Sequence, residues 1–160
     1  MTKYFDIKLF LKNKNIPALD SEIVSSLNLS SAFGSVCEKI TLKNGKVFVI
    51  KVQVTKDNNH YTSAYYEGKS LIDMHKKFGS IFPKIYYLEK NFFIMNWINH
   101  YIFNNDNSKI NNFLEKDFAK KLAKIHSVKN ECYGYDFNTP IGGMEQPCLF
   151  EKSWVNFFKN

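Results

Sequence analysis

The sequence predicts an α+β fold that begins with an antiparallel sheet and one main helix and continues into a helical part. Two β-rich runs flank the step Asn44-Gly45, which supplies the positive φ angles of a tight hairpin turn. Further along, apolar residues recur at helical spacing in two longer segments. With 160 residues, 44% of them hydrophobic, the chain is long enough to bury one core.

The first elements follow in a simple order. A short helix is expected over residues 4–13, where apolar residues lie close to helical spacing. The hairpin is expected to pair Val36 to Leu42 with Val47 to Val54 as antiparallel strands. From His60 to Phe78, apolar positions three, four and seven apart predict a helix, and Pro83 ends the pattern.

A second hairpin and a change of lobe are expected next. Apolar runs at residues 85–88 and 92–95, joined by three polar residues, are typical of a hairpin. The polar stretch from Asn104 to Ser108 is interpreted as the boundary between two lobes. The first lobe would comprise residues 1–103 and the second residues 104–160.

The second lobe begins with a long periodic segment that predicts a helix from Ile110 to near Ser127. The chain then becomes rich in Gly, Pro and Asn, which indicates a loop. It finishes with Trp154, Phe157 and Phe158 on one face of a starting helix, so we expect an aromatic face with little to cover it.

Composition narrows the classes of function. The formal net charge is +7, but all 22 basic residues are lysine, and specific nucleic-acid recognition relies heavily on the planar guanidinium group of arginine. No segment approaches the roughly 20 apolar residues of a membrane span. The three cysteines are widely spaced and match neither a disulfide framework nor a zinc pattern. We therefore expect a cytoplasmic protein with no nucleic-acid and no membrane partner.

Two charged residues lie at positions where the pattern is apolar. Lys51 falls inside the run VFVIKVQV, and Glu67 lies on the apolar side of the helix ending at Phe78. Unpaired buried charges are costly, so we expect Lys51 and Glu67 to meet. The alternative is an edge lysine that extends to solvent and an unrelated, half-exposed glutamate.

A lysine on a strand that pairs with a glutamate on the next helix has a known use. In kinase-fold enzymes this pair places the lysine on the α- and β-phosphates of ATP. The segment SSAFGSV around Gly34 would be the phosphate-covering loop, although it holds a single glycine. The run FFIMNWI resembles a strand that leads into an interlobe hinge, or else an ordinary core strand.

The tail supplies a more specific resemblance. The stretch YGYDFNTPIGGMEQP followed by SWVNFF resembles the fructosamine kinase, or ketosamine-3-kinase, family. That family carries an FGF-type turn, an IG segment, a Gln-Pro step and a Trp-x-x-Phe-Phe helix start. It also has an FVK-like strand, an E-x-x-x-L helix and an L-A-x-x-H helix end. The chain matches these with VIK at Lys51, EGKSL at Glu67 and LAKIH at Leu122 to His126, in the same order.

The resemblance implies a protein-kinase-like fold and an ATP- and Mg²⁺-dependent kinase whose substrates are free or protein-bound ketosamines. Lys51 would then hold the ATP phosphates and Glu67 would orient Lys51. The adenine-binding backbone would lie at four consecutive hinge residues, which are Met95, Asn96, Trp97 and Ile98. Asn96 stands where relatives often carry an acidic residue, which leaves the nucleotide contact at this position open.

The family's catalytic loop, of the form His-Gly-Asp-Leu-Trp-x-Gly-Asn, does not occur in the 160 residues. No catalytic residue and no metal ligand is assigned within them, and the Mg²⁺ ligands are expected beyond residue 160. The 160 residues alone are therefore not expected to turn over. The alternative is a non-catalytic nucleotide- or partner-binding remnant, which would dock a complementing chain through Trp154, Phe157 and Phe158.

Overall fold

The structure is a computed structural model that describes residues 5–32, 34–54, 62–100, 108–141 and 144–159. Its helices and strands, in chain order, are α1 (Ile7–Leu11), β1 (Ile23–Ala32), β2 (Ser35–Leu42), β3 (Val47–Gln53), α2 (Ser63–Phe78), β4 (Ile85–Glu89), β5 (Phe92–Asn96), α3 (Ser108–His126), β6 (Thr139–Ile141), β7 (Met144–Gln146) and α4 (Trp154–Lys159). Within these ranges, no helix combines the length and the apolar character that a membrane span requires.

The chain divides into two compact units. The first ends at Trp97 and also includes the later segment Phe137–Gln146. The second comprises Ile98–Asp136 and resumes at Pro147. The lobe boundary predicted between residues 103 and 104 lies outside the described residues and stays a prediction.

Five antiparallel strands of the first unit form one sheet, in the order β1-β2-β3-β5-β4. The β2–β3 hairpin predicted from Asn44-Gly45 is confirmed. Gly45 has φ 84°, and its N–H donates to the Leu42 carbonyl at 2.9 Å. The Asn44 side-chain oxygen accepts from the Lys46 N–H at 3.2 Å, which closes the turn.

Most of the other predicted elements are confirmed, and two features were not predicted. The short first helix, the helix ending at Phe78, the second hairpin and the long helix ending near Ser127 are all present. The residue His60, where the second helix was expected to begin, lies outside the described residues. Strand β1 was not predicted, because its Ser-rich sequence is exposed almost throughout and shows no buried alternation. The β6–β7 hairpin replaces part of the expected loop in the tail.

The central strands β3 and β5 are covered on both faces. Alternate residues of β2, β3 and β5 point to a core built with the N-terminal segment, and the buried members of this core are Ile7, Leu11, Ile16, Ile40, Leu42, Phe48, Ile50, Val52, Phe92 and Ile94. Helix α2 lies on the opposite face, where Ala64 is buried and Gly68 packs near Leu88 and Phe93. Residues that alternate with the core along β3 therefore face the α2 side.

A polar contact fixes the N-terminal segment to the edge of the sheet. The Lys14 ammonium lies 3.1 Å from Glu89 Oε2 and 4.8 Å from the centre of the Phe92 ring. The Tyr87 hydroxyl donates to Glu89 Oε1 at 2.6 Å. This hydrogen bond, with a further contribution from Lys14, lowers the pKa of Glu89. The carboxylate is thus held ionised between two donors.

In the second unit, the aromatic residues of the tail contact one another and remain largely exposed. The Tyr133 ring lies 5.2 Å from that of Trp154 and 6.1 Å from that of Phe157. Trp154 and Phe158 are 53% and 77% exposed. The Gly134 backbone passes so close to Leu149 that an added Cβ would lie 2.5 Å from the Leu149 carbonyl oxygen. The aromatic face expected on α4 is exposed at Trp154 and Phe158, whereas Phe157, which packs near Tyr133, is half-buried.

One carboxylate lies deep in the first unit. Glu38 on β2 is 2% exposed and shares its face of the strand with Ile40 and Leu42. Burial raises the pKa of Glu38, and the nearby Asp6 carboxylate raises it further, while a hydrogen bond from Ser26 partly opposes the shift. A neutral hydroxyl offsets little of the cost of a buried negative charge.

The substitution Glu38→Gln is expected to stabilise the protein at neutral pH. Folding favours protonation of Glu38, so the wild type loses stability as pH rises above the unfolded value of 4.5 and through the raised folded pKa. Gln removes this loss and should raise the free energy of unfolding at pH 7 by about 1 kcal/mol, or Tm by about 3 °C. Thermal unfolding between about pH 4.5 and pH 8 measures both effects.

The matched control is Glu22→Gln, because the Glu22 side chain is 71% exposed and makes only a surface contact with Lys43. It should leave the pH profile of Tm unchanged. A Glu38→Gln variant that is less stable than the wild type at pH 7 would show that ionised Glu38 is well compensated.

Candidate functional site

Lys51 lies on β3, the middle strand of the five-stranded sheet. Its register partners are Cys37 on β2 and Phe93 on β5, so it belongs to the set of residues that face α2. The Lys51 side chain is 26% exposed. The backbone of β3 is hydrogen-bonded to β2 on one side and to β5 on the other, which fixes the position of the Lys51 Cα.

The start of α2 is tied to the strands on either side of it. The Thr62 hydroxyl and N–H both reach the Lys90 carbonyl, in the β4–β5 turn, at 2.9 and 3.0 Å. The Ser63 hydroxyl donates to the Gln53 side chain, at the end of β3, at 2.8 Å. The first turn of α2 is thereby anchored to the strand that carries Lys51.

Gly68 brings the middle of α2 close to the sheet. A Cβ at this position would lie 2.6 Å from Leu88 Cδ1 and 3.3 Å from Phe93 Cβ. A hydrogen atom is thus the only side chain that fits without movement of the sheet residues. The approach matters because Glu67 is the preceding residue of the helix.

Lys51 and Glu67 form the ion pair expected from the sequence. Lys51 Nζ lies 2.5 Å from Glu67 Oε2. The Glu67 side chain is 43% exposed, so the pair is less buried than the apolar run around Lys51 suggests. An ammonium held in this way keeps a fixed position and stays open to an anionic ligand, while the partly exposed pair adds little to folding stability.

Cys37 lies directly across from Lys51 on the neighbouring strand. Burial raises the pKa of the Cys37 thiol; the charge of Lys51 lowers it, and that of Glu67 raises it. The thiol is therefore held protonated at neutral pH and is not activated as a nucleophile. Its pKa depends on both members of the ion pair.

Gly34 lies between strands β1 and β2, next to the start of β2. Within the segment SSAFGSV, Ala32 and Ser35 are already paired across the β1–β2 hairpin. Gly34 has φ 73°, and its carbonyl accepts from the Val54 N–H at 2.7 Å. The turn is thus attached to the chain just beyond β3. Its predicted place over phosphates stays a prediction.

The four hinge residues lie at and beyond the end of β5. Met95 pairs with Val49 on β3, and the Asn96 N–H donates to the Lys84 carbonyl at 3.1 Å. The Trp97 N–H donates to the Val47 carbonyl at 3.4 Å. These two N–H groups are therefore engaged by the sheet. Ile98, which is 49% exposed, is the first residue of the second unit.

Asn96 and Trp97 also use their side chains locally. The Asn96 side-chain oxygen accepts from the Lys84 N–H at 2.6 Å, and its amide donates to the Trp97 carbonyl at 3.3 Å. The Lys39 ammonium lies 4.2 Å from the centre of the Trp97 ring. An acidic residue at position 96 could not donate in this way to the Trp97 carbonyl. The adenine contact predicted for these residues stays a prediction.

The structure brings some predicted residues together, and it adds one that the sequence reasoning missed. Lys51 and Glu67 meet, and Gly34 and Met95 lie on strands or turns next to β3. Gly68 was missed; its signal was a glycine four residues after Ala64 on the sheet side of a helix. In the described part of the chain, no three His, Cys, Asp or Glu side chains are grouped as metal ligands.

Comparisons with known proteins concern the sequence family and the fold of this chain. The sequence model of the fructosamine kinase family matches residues 20–160. Curated protein sequences give no match. A solved structure from Thermobifida fusca, assigned as a fructosamine-3-kinase, aligns with a TM-score of 0.70 at 16% identity, covering 88% of this chain. A structure from Haemophilus somnus with the same assignment aligns with a TM-score of 0.59 at 20% identity, covering 86%.

The alignments concern the fold and part of the relatives' length. The chain spans 46% of the Thermobifida protein and 45% of the Haemophilus protein. Both likenesses confirm the predicted α+β, protein-kinase-like fold. At 16% and 20% sequence identity, these alignments show a shared fold alone. The chemistry therefore has to be argued from the residues of the site.

Enlarging Gly68 is expected to disturb α2 and the ion pair. In Gly68→Val, the added methyl groups meet Leu88 and Phe93, so the free energy of unfolding should fall by about 1–3 kcal/mol. Urea denaturation measures the loss. The control is Lys76→Val, at an exposed position of the same helix. Equal stability of the two variants would mean that the sheet adjusts to the larger residue without cost.

Proposed function

Because this chain belongs to the fructosamine kinase family, we propose that it carries the nucleotide-binding part of an ATP-dependent kinase that phosphorylates ketosamines. The observation that carries the proposal is the ion pair of Lys51 and Glu67, 2.5 Å apart on the middle strand and the main helix. A lysine that is held by a carboxylate and is partly exposed is suited to contact the phosphates of a nucleotide.

In the proposed complex, the Lys51 ammonium contacts the α- and β-phosphates of ATP while Glu67 fixes its direction. The ammonium has three donor hydrogens, so it can bind Glu67 and a phosphate oxygen at the same time. The turn at Gly34 covers the phosphates, and the backbone of Met95 to Ile98 receives the adenine. Within that backbone, the Asn96 and Trp97 N–H groups already donate to Lys84 and Val47, and the Trp97 carbonyl accepts from the Asn96 amide.

The substrate proposal follows from the family. Ketosamines are adducts of sugars with amines, and the phosphoryl group would pass from ATP to a sugar hydroxyl. That step needs an acidic residue to orient the hydroxyl, and it needs Mg²⁺ to neutralise phosphate charge. We assign the Mg²⁺ no ligand within these 160 residues, and because the family's catalytic-loop motif does not occur in the sequence we propose that they bind nucleotide without turnover. We propose the cytoplasm as the place of this reaction.

A second candidate function is favoured by the exposed aromatic face of the second unit. Trp154, Val155 and Phe158 on α4 are each more than half exposed. The chain spans less than half the length of the solved relatives. We propose that this face binds the polypeptide that supplies the rest of the second lobe. Its test is binding of an apolar dye and self-association at micromolar concentration, both reduced by the double substitution Trp154→Ser and Phe158→Ser. A monomer that binds no dye would contradict this proposal.

The substitution Lys51→Met is expected to weaken MgATP binding at least 10-fold, because it removes the charge that contacts the phosphates. The free energy of unfolding should change by less than about 1 kcal/mol, because the ion pair is partly exposed. Isothermal titration calorimetry with MgATP and urea denaturation give the two quantities. The control is Lys46→Met, which breaks another 2.5 Å ion pair, with Asp20, on the β2–β3 hairpin.

Two results would contradict the proposal. One is a wild-type chain that binds no MgATP at millimolar concentration. The other is a Lys51→Met variant that binds MgATP as tightly as Lys46→Met.

The ketosamine part of the proposal is tested separately, on the protein isolated from its host with an antibody against the β2–β3 hairpin. ATP-dependent phosphorylation of a fructosyl-lysine would support it.

A further inference from the structure

Phe137 makes two ring contacts with α2. Its ring lies nearly parallel to that of Tyr66, with the centres 6.0 Å apart and the planes at 17°. The ammonium of Lys69 lies 4.0 Å from the centre of the same ring. Phe137 is the first residue of the segment Phe137–Gln146, which belongs to the first unit although its chain neighbours on both sides belong to the second.

The two contacts lie on either side of Glu67 in the helix sequence. Successive helix residues are about 100° apart around the axis, so Tyr66 and Lys69 present one face to Phe137. Gly68 points to the sheet, where Leu88 and Phe93 limit its approach. Glu67 points in a third direction from the helix axis, different from those of Phe137 and the sheet, and pairs with Lys51. Contacts with Phe137, with the sheet and with Lys51 are thus spread around the helix.

A helix held by the sheet alone can still roll on it. A roll of α2 would carry Glu67 away from Lys51, since the carboxylate lies to the side of the contact at Gly68. Phe137 opposes this roll, because it holds two residues on another side of the same turn. Phe137 restrains the helix through ring stacking with Tyr66 and through a cation–π contact with Lys69.

We propose that Phe137 is a positioning residue that holds α2 in the rotation at which Glu67 pairs with Lys51. The expected consequence of this positioning is tighter binding of the nucleotide phosphates, and this part of the inference rests on the proposed function. The contacts that carry this role are those of Phe137 with Tyr66 and Lys69. Phe137 acts through Glu67.

The test compares Phe137→Leu, which keeps an apolar side chain but loses the ring, with Phe137→Tyr, which keeps the ring. We expect MgATP to bind about 5-fold more weakly to Phe137→Leu and with wild-type affinity to Phe137→Tyr. In a Glu67→Gln background, Phe137→Leu should cause no further loss. An equal loss in both backgrounds, or none in either, would overturn the inference.

A second readout does not need the nucleotide. Cys37 lies across from Lys51, and the charge of Glu67 raises the pKa of its thiol. If Glu67 moves away, that pKa falls and alkylation of Cys37 becomes faster. We expect iodoacetamide, followed by peptide mass spectrometry, to show faster labelling of Cys37 in Phe137→Leu and in Glu67→Gln, and wild-type labelling in Phe137→Tyr.

Unchanged labelling of Cys37 in Phe137→Leu would overturn the inference even if MgATP binds to the wild type. Faster labelling of Cys37 in Phe137→Leu, together with no MgATP binding to the wild type, would support the positioning role and contradict the proposed function. The two failures are thereby distinguished. Urea denaturation of Phe137→Leu at the labelling temperature checks that the labelled protein is folded, so that faster labelling reports on Glu67 and not on unfolding.

Discussion

The close approach of α2 to the sheet at Gly68 is the constraint on which the candidate site depends. Lys51 is fixed by the hydrogen-bonded strands around it, but Glu67 is placed only as well as its helix is placed. A Cβ at position 68 would lie 2.6 Å from Leu88 Cδ1 and 3.2 Å from Phe93 Cδ1, so a larger residue there requires these side chains or the helix to move. The small size of Gly68 thus lets α2 lie close to the strands while Glu67 pairs with Lys51.

The charged side chains of the first unit differ in how the free-energy cost of removing them from water is offset. Lys51 and Glu67 are paired and partly exposed, so water still screens them and their net effect on stability is small. Glu89 lies between two donors, Lys14 and Tyr87, and remains ionised. Glu38 is buried beside a neutral hydroxyl and another carboxylate. The site pair can therefore be altered with little risk to the fold, whereas the buried carboxylate cannot be ignored in any account of stability.

Local sequence patterns were enough to predict the frame of the fold and the central pair. The Asn44-Gly45 turn and the periodic helices depend on neighbouring residues, and the pairing of Lys51 with Glu67 followed from the cost of leaving either charge unmatched. Strand β1 could not be predicted because its hydrogen bonds to β2 are independent of its exposed side chains. The half-exposure of the pair and the contact of Phe137 with α2 depend on residues far apart in sequence, which periodicity does not report.

The route of the chain between the two units has a consequence for dissecting the protein. The polypeptide leaves the first unit after Trp97, returns to it at Phe137 and leaves again after Gln146. No single cut can therefore release the first unit with all of its parts. A fragment that stops at Trp97 would lack the ring that holds Tyr66 and Lys69. Limited proteolysis within the segment Ile98–Asp136 should for this reason yield nicked pieces that stay associated through the contacts of the first unit.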